Sequence, residues 1–276
     1  MPTEPTSYDL VISGGRVIDP ANNIDAKLDV AVSNGKIAAV EANINVSATQ
    51  RVIDATGLVV TPGLIDLHTH IAADIRKVTN EDLMVTADVA GVNAGVTTVL
   101  DAGSTGAFNV GGLVNTIAAN ATTRVLALLN VGTLGVIRAP EVLSADDINH
   151  EAAVEAIKAA PNVIKGVKVR MVSPGITALG IEMPKAAKAI ASEAGVPMMV
   201  HVGDIMKQDP IAAVLAPTLL TEVLTKGDIV THTLSHQVGA LLANGSLLPQ
   251  ALEARKNGVY FDVGVGGEGA ETATRK

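Results

Sequence analysis

The sequence contains no cysteine and no tryptophan, and aromatic residues make up only 1% of its 276 positions. Without cysteine, the chain can form neither a disulfide framework nor a thiolate site for zinc. Its core must be built from aliphatic side chains and methionine, and the 48% of hydrophobic residues is enough to supply one. The length fits one large α/β domain with a small appended unit.

The sequence also lacks an excess of positive charge and any long apolar run. The formal net charge is −8, which argues against nucleic acid or an anionic membrane as a partner. No stretch reaches the roughly 18 apolar residues that indicate a membrane span. The N-terminus lacks the basic and apolar regions of a signal peptide. We therefore expect a cytoplasmic protein without a membrane partner.

Two regions with different patterns follow one another along the chain. Residues 1–61 read as short strands and turns, and Asn34-Gly35 between two apolar segments predicts a hairpin. A β unit of this size is marginally stable alone, so we expect it to pack on the larger C-terminal region. In residues 62–276, short apolar runs alternate with amphipathic segments, which predicts βαβ units and a parallel sheet.

The number of apolar runs favours a (β/α)8 TIM-type barrel over an open sheet, although one strand is missing. The chain supplies seven predicted strands where a complete barrel has eight. These predicted strands cover residues 64–70, 95–103, 124–132, 164–172, 196–203, 228–234 and 258–264.

Five of the six histidines fall at the ends of predicted strands, where TIM-type barrels carry their active sites. His68 and His70 are one residue apart in GLIDLHTH, so on a strand they point to the same face. His201 and His232 belong to the fifth and sixth strands, and His236 follows in a loop. A lone histidine at a strand end is more often structural. Four together predict a metal site, because two imidazoles on one face can chelate one ion.

Other polar residues at the strand ends keep both a structural and a functional interpretation. Asp101 ends the second strand and is suited equally to capping a loop and to catalysis. Asp262 either orients a ligand histidine or caps a loop. Arg170 shares a strand face with Lys168 and either forms an ion pair or contacts a substrate anion. Lys165 or Lys168 extends to solvent in the simplest interpretation.

A buried lysine has a second interpretation, because burial disfavours the ammonium form. A neutral amine reacts with carbon dioxide to give a carbamate, and that anion can bridge two metal ions about 3.5–4 Å apart.

With these residues in place, the sequence resembles the amidohydrolase superfamily, and within it the amidohydrolase/deacetylase group related to dihydroorotases and hydantoinases. The resemblance covers residues 8–265. The order His-x-His, lysine, histidine, histidine is specific as a set. The segments that carry it are GLVVTPGLIDLHTH, IKGVKVRM, PMMVHVG, VTHTLSH and VYFDVG.

The resemblance implies a binuclear centre in which each of two divalent ions, expected to be zinc, binds two histidines. His68 and His70 would bind one ion, His201 and His232 the other, and carboxylated Lys168 would bridge them. The match to Lys-Val-Arg selects Lys168. A metal-bridging hydroxide would hydrolyse an amide or acyl ester bond of a small molecule. Residues 1–61 would be part of the family's small β-sandwich.

The sequence departs from the family pattern near its C-terminus. No strand ending in aspartate follows Asp262, although the family uses an aspartate on strand eight as general base. Val265 stands where the deacetylase group usually has a histidine. We therefore expect a truncated chain or fragment that binds metal but hydrolyses poorly.

Two alternatives stay open. One is a naturally short homo-oligomer whose exposed strand edges are covered by another subunit. The other is a phosphate-binding barrel without metal, which the lack of a Gly-rich phosphate loop disfavours.

Overall fold

The computed structural model describes residues 7–47, 49–73, 75, 84–243 and 245–264. The chain divides into two compact units, Met1–Leu64 and Ile65–Lys276. Within the described residues, no helix is both long and apolar enough to cross a membrane.

The N-terminal unit is a five-stranded sheet. Its strands are β1 (Leu10–Asp19), β2 (Ile24–Ser33), β3 (Lys36–Glu41), β4 (Val52–Asp54) and β5 (Val59–Val60). β1 pairs antiparallel with β2, and β2 with β3, whereas β4 and β5 run parallel to β1. Asn34 and Gly35 form the turn between β2 and β3, both with positive φ, as the predicted hairpin requires.

The second unit is built on a curved sheet of seven strands and a separate two-stranded hairpin. The strands are β6 (Leu64–Thr69), β7 (Val96–Asp101), β8 (Arg124–Asn130), β9 (Ile164–Arg170), β10 (Met198–His201), β11 (Ile229–Thr231), β12 (Leu242–Ala243), β13 (Ser246–Leu247) and β14 (Tyr260–Phe261). The large sheet has the order β14-β11-β10-β9-β8-β7-β6, and β12 pairs only with β13. This parallel sheet is that of a TIM-type barrel and confirms the predicted fold class; the described residues supply seven of its strands.

Helices and helical turns connect the strands. The α-helices are α1 (Ala87–Ala90), α2 (Val110–Gly112), α3 (Ala118–Asn120), α4 (His150–Ala159), α5 (Gly175–Leu179), α6 (Glu182–Ala194), α7 (Ile211–Thr218) and α8 (Pro249–Lys256). π-Helical turns follow α2 and α7, at Leu113–Ile117 and Leu219–Val223. Short 3-10 turns occur at Pro20–Asn22, Val92–Ala94, Gly135–Arg138 and Ala145–Asp147.

The main core lies between the sheet and its helices and is aliphatic, as the scarcity of aromatic residues predicts. Ile190 of α6 is fully buried in one cluster with Val167 and Val169 of β9. Because neighbours on a strand point to opposite faces, Lys168 and Arg170 face away from these valines. The alternation that builds the core therefore sends polar side chains of β9 into the interior of the curved sheet.

Candidate metal centre

The histidines predicted on three different strands lie together at the C-terminal edge of the curved sheet. The ring centroids of His68 and His232 are 4.8 Å apart, and those of His201 and His232 are 4.1 Å apart. The ring of His70 lies 6.0 Å from that of His68. Since β6 and β11 are not neighbours in the sheet, its curvature is what brings their histidines into contact. We call these four residues the histidine cluster.

Backbone carbonyls fix the protonated nitrogen of two of these rings. His232 Nδ1 lies 2.6 Å from the carbonyl oxygen of Gly264, and His201 Nε2 lies 3.1 Å from that of Gly203. A carbonyl can only accept, so each of these nitrogens carries its proton and the other nitrogen of a neutral ring is bare. His232 also has a φ of 64°, an uncommon conformation for a residue other than glycine, of the kind found at functional sites.

Asp262 fixes the third ring. Its Oδ2 lies 2.9 Å from His68 Nδ1 and accepts a second hydrogen bond, of 2.6 Å, from Thr231 Oγ1. Burial alone would raise the pKa of this carboxyl, but the bonds from His68 and Thr231 outweigh it and lower the pKa to about 2. The ionised Asp262 therefore holds the proton of His68 on Nδ1 and leaves Nε2 bare. Of the two interpretations of Asp262, the structure favours orientation of a histidine.

The environment keeps the histidine cluster uncharged near neutral pH. Burial is the largest cause of the lowered pKa values of all four rings, and the positive charge of Lys168 adds to it. The pKa of His232 falls to about 3. Neutral imidazole is the form that binds metal ions. These four side chains are therefore in the protonation state that a metal site requires.

Lys168 lies at the centre of the sheet on β9 and is 1% exposed. Its Nζ contacts the thioether sulfur of Met199 at 3.4 Å, a weak acceptor for a buried amine. Burial, followed by the charge of Arg170, lowers its pKa to about 7. Lys165 instead reaches the carbonyl oxygen of Pro161 at 2.7 Å in an exposed position. Of the two lysines, Lys168 is thus the one with a buried amine.

The remaining predicted residues lie around the cluster in different roles. Arg170 is engaged by Glu141, a residue that the sequence did not indicate, and this contact favours the ion-pair interpretation over an anion contact. Asp101 is fully buried, and its carboxylate caps the loop that follows β7. Burial raises its pKa, although hydrogen bonds from Ile71, Ser104 and Gly103 oppose the shift. His236 is exposed in the loop after β11. Val265 lies outside the described residues.

Whether this arrangement fits a metal ion depends on its donors. In the part of the chain that the structure describes, no three His, Asp or Glu side chains converge to hold one ion. The hypothesis from sequence assigns two histidines to each ion, with Lys168 between the two ions. It therefore does not require three His, Asp or Glu side chains around a single ion. Neutral imidazoles and a buried amine without a strong partner are a donor set that suits zinc once the amine is carboxylated. The residues present therefore fit the expected metal centre.

Comparison with known proteins agrees with the fold. The model of the amidohydrolase family matches residues 59–226. A deacetylase from Enterococcus faecalis is 32% identical over 98% of this chain and 70% of its own length. A deacetylase from Brucella anthropi is 32% identical over 88% of this chain and 58% of its own length. The crystal structure of a dihydroorotase superposes with a TM-score of 0.80 and 29% identity, over 96% of this chain and 68% of that one.

The chain belongs to the amidohydrolase family. It spans between about half and 70% of the length of the curated deacetylases that it matches.

Proposed function

We propose that this chain carries the metal centre of a hydrolase that cleaves an amide or acyl ester bond of a small molecule, as a deacetylase does. The observation that carries the proposal is the cluster of four neutral imidazoles beside the buried amine of Lys168. The family and the deacetylase relatives support the reaction class.

Each ligand role is proposed from the chemistry of its side chain. His68 and His70 would hold one divalent ion and His201 and His232 a second, with zinc the ion that suits imidazole donors. When bound, such ions supply Lewis acidity and lower the pKa of coordinated water. The neutral amine of Lys168 would attack the carbon of carbon dioxide. An N–C bond would form as the π pair of one C=O bond moves to its oxygen, and the nitrogen would release one proton to water, leaving an anionic carbamate that could serve both pairs of histidines.

The protein's own groups orient this centre. The carbonyl oxygens of Gly264 and Gly203 and the carboxylate of Asp262 each hold one ring proton and so determine which nitrogen faces the ion. Asp262 Oδ2 already accepts from both His68 and Thr231. Its pKa of about 2 makes it a weak base near neutral pH, so we assign it the orientation of His68 and not the transfer of the reaction's proton.

A second candidate is a metal-binding homologue with little or no turnover. The low pKa of Asp262, about 2, favours it, because a general base works best when its pKa lies near the operating pH. This candidate shares the metal centre with the first and differs from it only in catalysis.

Metal content and turnover of the 276-residue chain together test both candidates. Elemental analysis after dialysis is expected to give two zinc ions per chain, and no more than one for the double variant His68→Asn/His70→Asn, which keeps His201 and His232. His150→Asn is the matched control, since His150 is exposed on α4 and bonds to Glu193. Turnover of N-acyl amino acids or cyclic amides would support the hydrolase, and metal without turnover would support the second candidate. A wild-type chain that retains no ion would refute both.

A further inference from the structure

Asp101 accepts as many hydrogen bonds as a carboxylate has sites for. Its Oδ1 accepts from the backbone amides of Gly103 at 3.1 Å and Ser104 at 2.7 Å. Its Oδ2 accepts from the backbone amide of Ile71 at 2.9 Å and from Ser104 Oγ at 2.7 Å. An ionised carboxylate has about four lone-pair sites, and these four donors occupy them. Three of the four are backbone amides that can only donate, and they favour the ionised carboxylate over the protonated one.

The hydroxyl of Ser104 therefore has a fixed direction. A serine has one proton to donate, and the carboxylate of Asp101 can only accept it. Ser104 Oγ also lies 2.8 Å from His70 Nδ1. Because the serine proton is already committed to Asp101, the oxygen can only accept from His70. Nδ1 of His70 must then carry the ring proton, which leaves Nε2 bare.

We propose that Asp101 and Ser104 form a relay that positions His70, by fixing its ring proton on Nδ1 and presenting Nε2 for metal binding. The consequence for metal binding rests on the proposed function, whereas the position of the proton does not. Ser104 is fully buried, so water does not compete for its hydroxyl. Neither residue would contact the ion, and both are positioning residues.

A merely structural role for Asp101 makes a different prediction. If its carboxylate served only to hold the segments after β6 and β7, the three backbone amides would be sufficient, and the serine hydroxyl would be dispensable. Removing that hydroxyl would then leave the tautomer of His70 unchanged. The relay requires that the tautomer respond to Ser104.

The test is the ring tautomer of His70 in the metal-free chain labelled with 15N-histidine. Two-bond 1H–15N correlation spectra distinguish protonated from bare ring nitrogens, and the variant His70→Gln assigns the signals. The wild type is expected to carry the proton on Nδ1, and Ser104→Ala to populate both tautomers. The matched control is Thr105→Val, because the described residues offer the buried Thr105 Oγ1 no hydrogen-bond partner.

A second variant reverses the relay instead of removing it. In Asp101→Asn, the side-chain NH2 can take the place of either oxygen. At the Oδ1 position it would face two backbone N–H groups, but at the Oδ2 position it would face only one, so fewer hydrogen bonds are lost there. There it donates to Ser104 Oγ, so the serine must donate to His70. The tautomer of His70 is then expected to invert, with the proton on Nε2.

Metal affinity gives an independent readout. Competition with a chromophoric chelator is expected to show zinc binding about 10- to 100-fold weaker in Ser104→Ala and unchanged in Thr105→Val. Three results would overturn the proposal: a wild-type proton on Nε2, a tautomer unaffected by Ser104→Ala, or one equally altered by Thr105→Val. Because the spectra are recorded without metal or substrate, they remain decisive even if the chain proves not to be a hydrolase.

Discussion

The guanidinium of Arg170 and the carboxylate of Glu141 face each other in two hydrogen bonds, Nε to Oε1 at 2.6 Å and Nη2 to Oε2 at 2.5 Å. The two side chains are only 9% and 3% exposed. Arg170 lies two residues from Lys168 on β9, and its charge contributes to the lowered pKa of that lysine. Arg170 thus places a permanent positive charge near the buried amine of Lys168, and the carboxylate of Glu141 provides the counter-charge for that guanidinium.

Removal of Glu141 is expected to destabilise the chain strongly. In Glu141→Gln the buried guanidinium of Arg170 loses its counter-charge, which should lower the free energy of unfolding by about 3–5 kcal/mol. Urea unfolding followed by far-ultraviolet circular dichroism measures this loss. The double variant Glu141→Leu/Arg170→Met should recover most of it, because no uncompensated charge remains buried.

The matched control for this prediction is Glu182→Gln, which breaks the exposed pair of Glu182 with Lys185 on α6. It is expected to leave the unfolding curve unchanged, since exposed pairs contribute little. A double variant no more stable than Glu141→Gln would show that the pair acts through packing and not through charge.

Lys168 should make the stability of the metal-free chain depend on alkaline pH. Its pKa is about 7 in the folded chain, against an ordinary value of 10.5. Between these values the unfolded chain binds a proton that the folded chain does not, so stability is expected to rise as the pH rises from about 7 to about 10.5. In Lys168→Met this rise should disappear, and the variant should be more stable than the wild type at pH values below 7.

Thermal unfolding across this pH range, in buffers free of carbon dioxide, measures the effect. The control is Lys165→Met on the same strand, which removes an exposed amine and should retain the rise. If Lys168→Met kept the wild-type pH dependence, the amine of Lys168 would not be the group that titrates.

Gly264 is expected to tolerate no side chain. A Cβ there would collide with Thr231 Oγ1 and lie 3.0 Å from Nδ1 of both His68 and His232. We expect Gly264→Ala to displace these rings and weaken zinc binding by about 10- to 100-fold, as other changes behind metal ligands do. A competition titration with a chromophoric chelator measures the loss.

The control for this prediction separates crowding from backbone strain. Gly195 also has a positive φ, of 71°, but a Cβ there would meet nothing within 4 Å. Gly195→Ala should therefore cost some stability, because non-glycine residues rarely adopt this conformation, and should leave zinc affinity unchanged. Equal zinc affinities in the two variants would contradict the steric argument.

The strands were predictable because each apolar run is a local signal. The run predicted at 164–172 nearly matches the observed β9, because the strand pattern of Ile164–Arg170 can be read from consecutive residues. Prediction was poorer at 196–203, where β10 spans only Met198–His201, because buried apolar residues continue into the loop beyond the strand. In the N-terminal unit, Asn34-Gly35 indicated its hairpin, but nothing local indicated that β4 and β5 run parallel to β1.

The gathering of the four histidines and the contact of Asp262 with one of them were predictable, whereas the contacts of Ser104 and Glu141 were not. Histidine is rare in this chain, so its recurrence at strand ends stands out. Ser104 and Glu141 are common residue types in loops, and they meet His70 and Arg170 across 34 and 29 residues. No periodicity encodes such contacts, which depend on how neighbouring strands are placed. The spacing of Asp101 and Ser104, three residues apart after a strand, was the only local sign of their hydrogen bond.

The bond between His68 and Asp262 joins groups that are 194 residues apart in sequence. His68 belongs to β6 at one end of the sheet and Asp262 directly follows β14 at the other. Contacts of such large sequence separation carry a high loop-closure cost and tend to form late in folding. A ligand that binds only when His68 and Asp262 are in contact binds only the folded sheet. By mass action it therefore stabilises all the strands from β6 to β14. Protection of backbone amides from hydrogen exchange should then increase along the whole sheet, from β6 to β14, when the centre is filled.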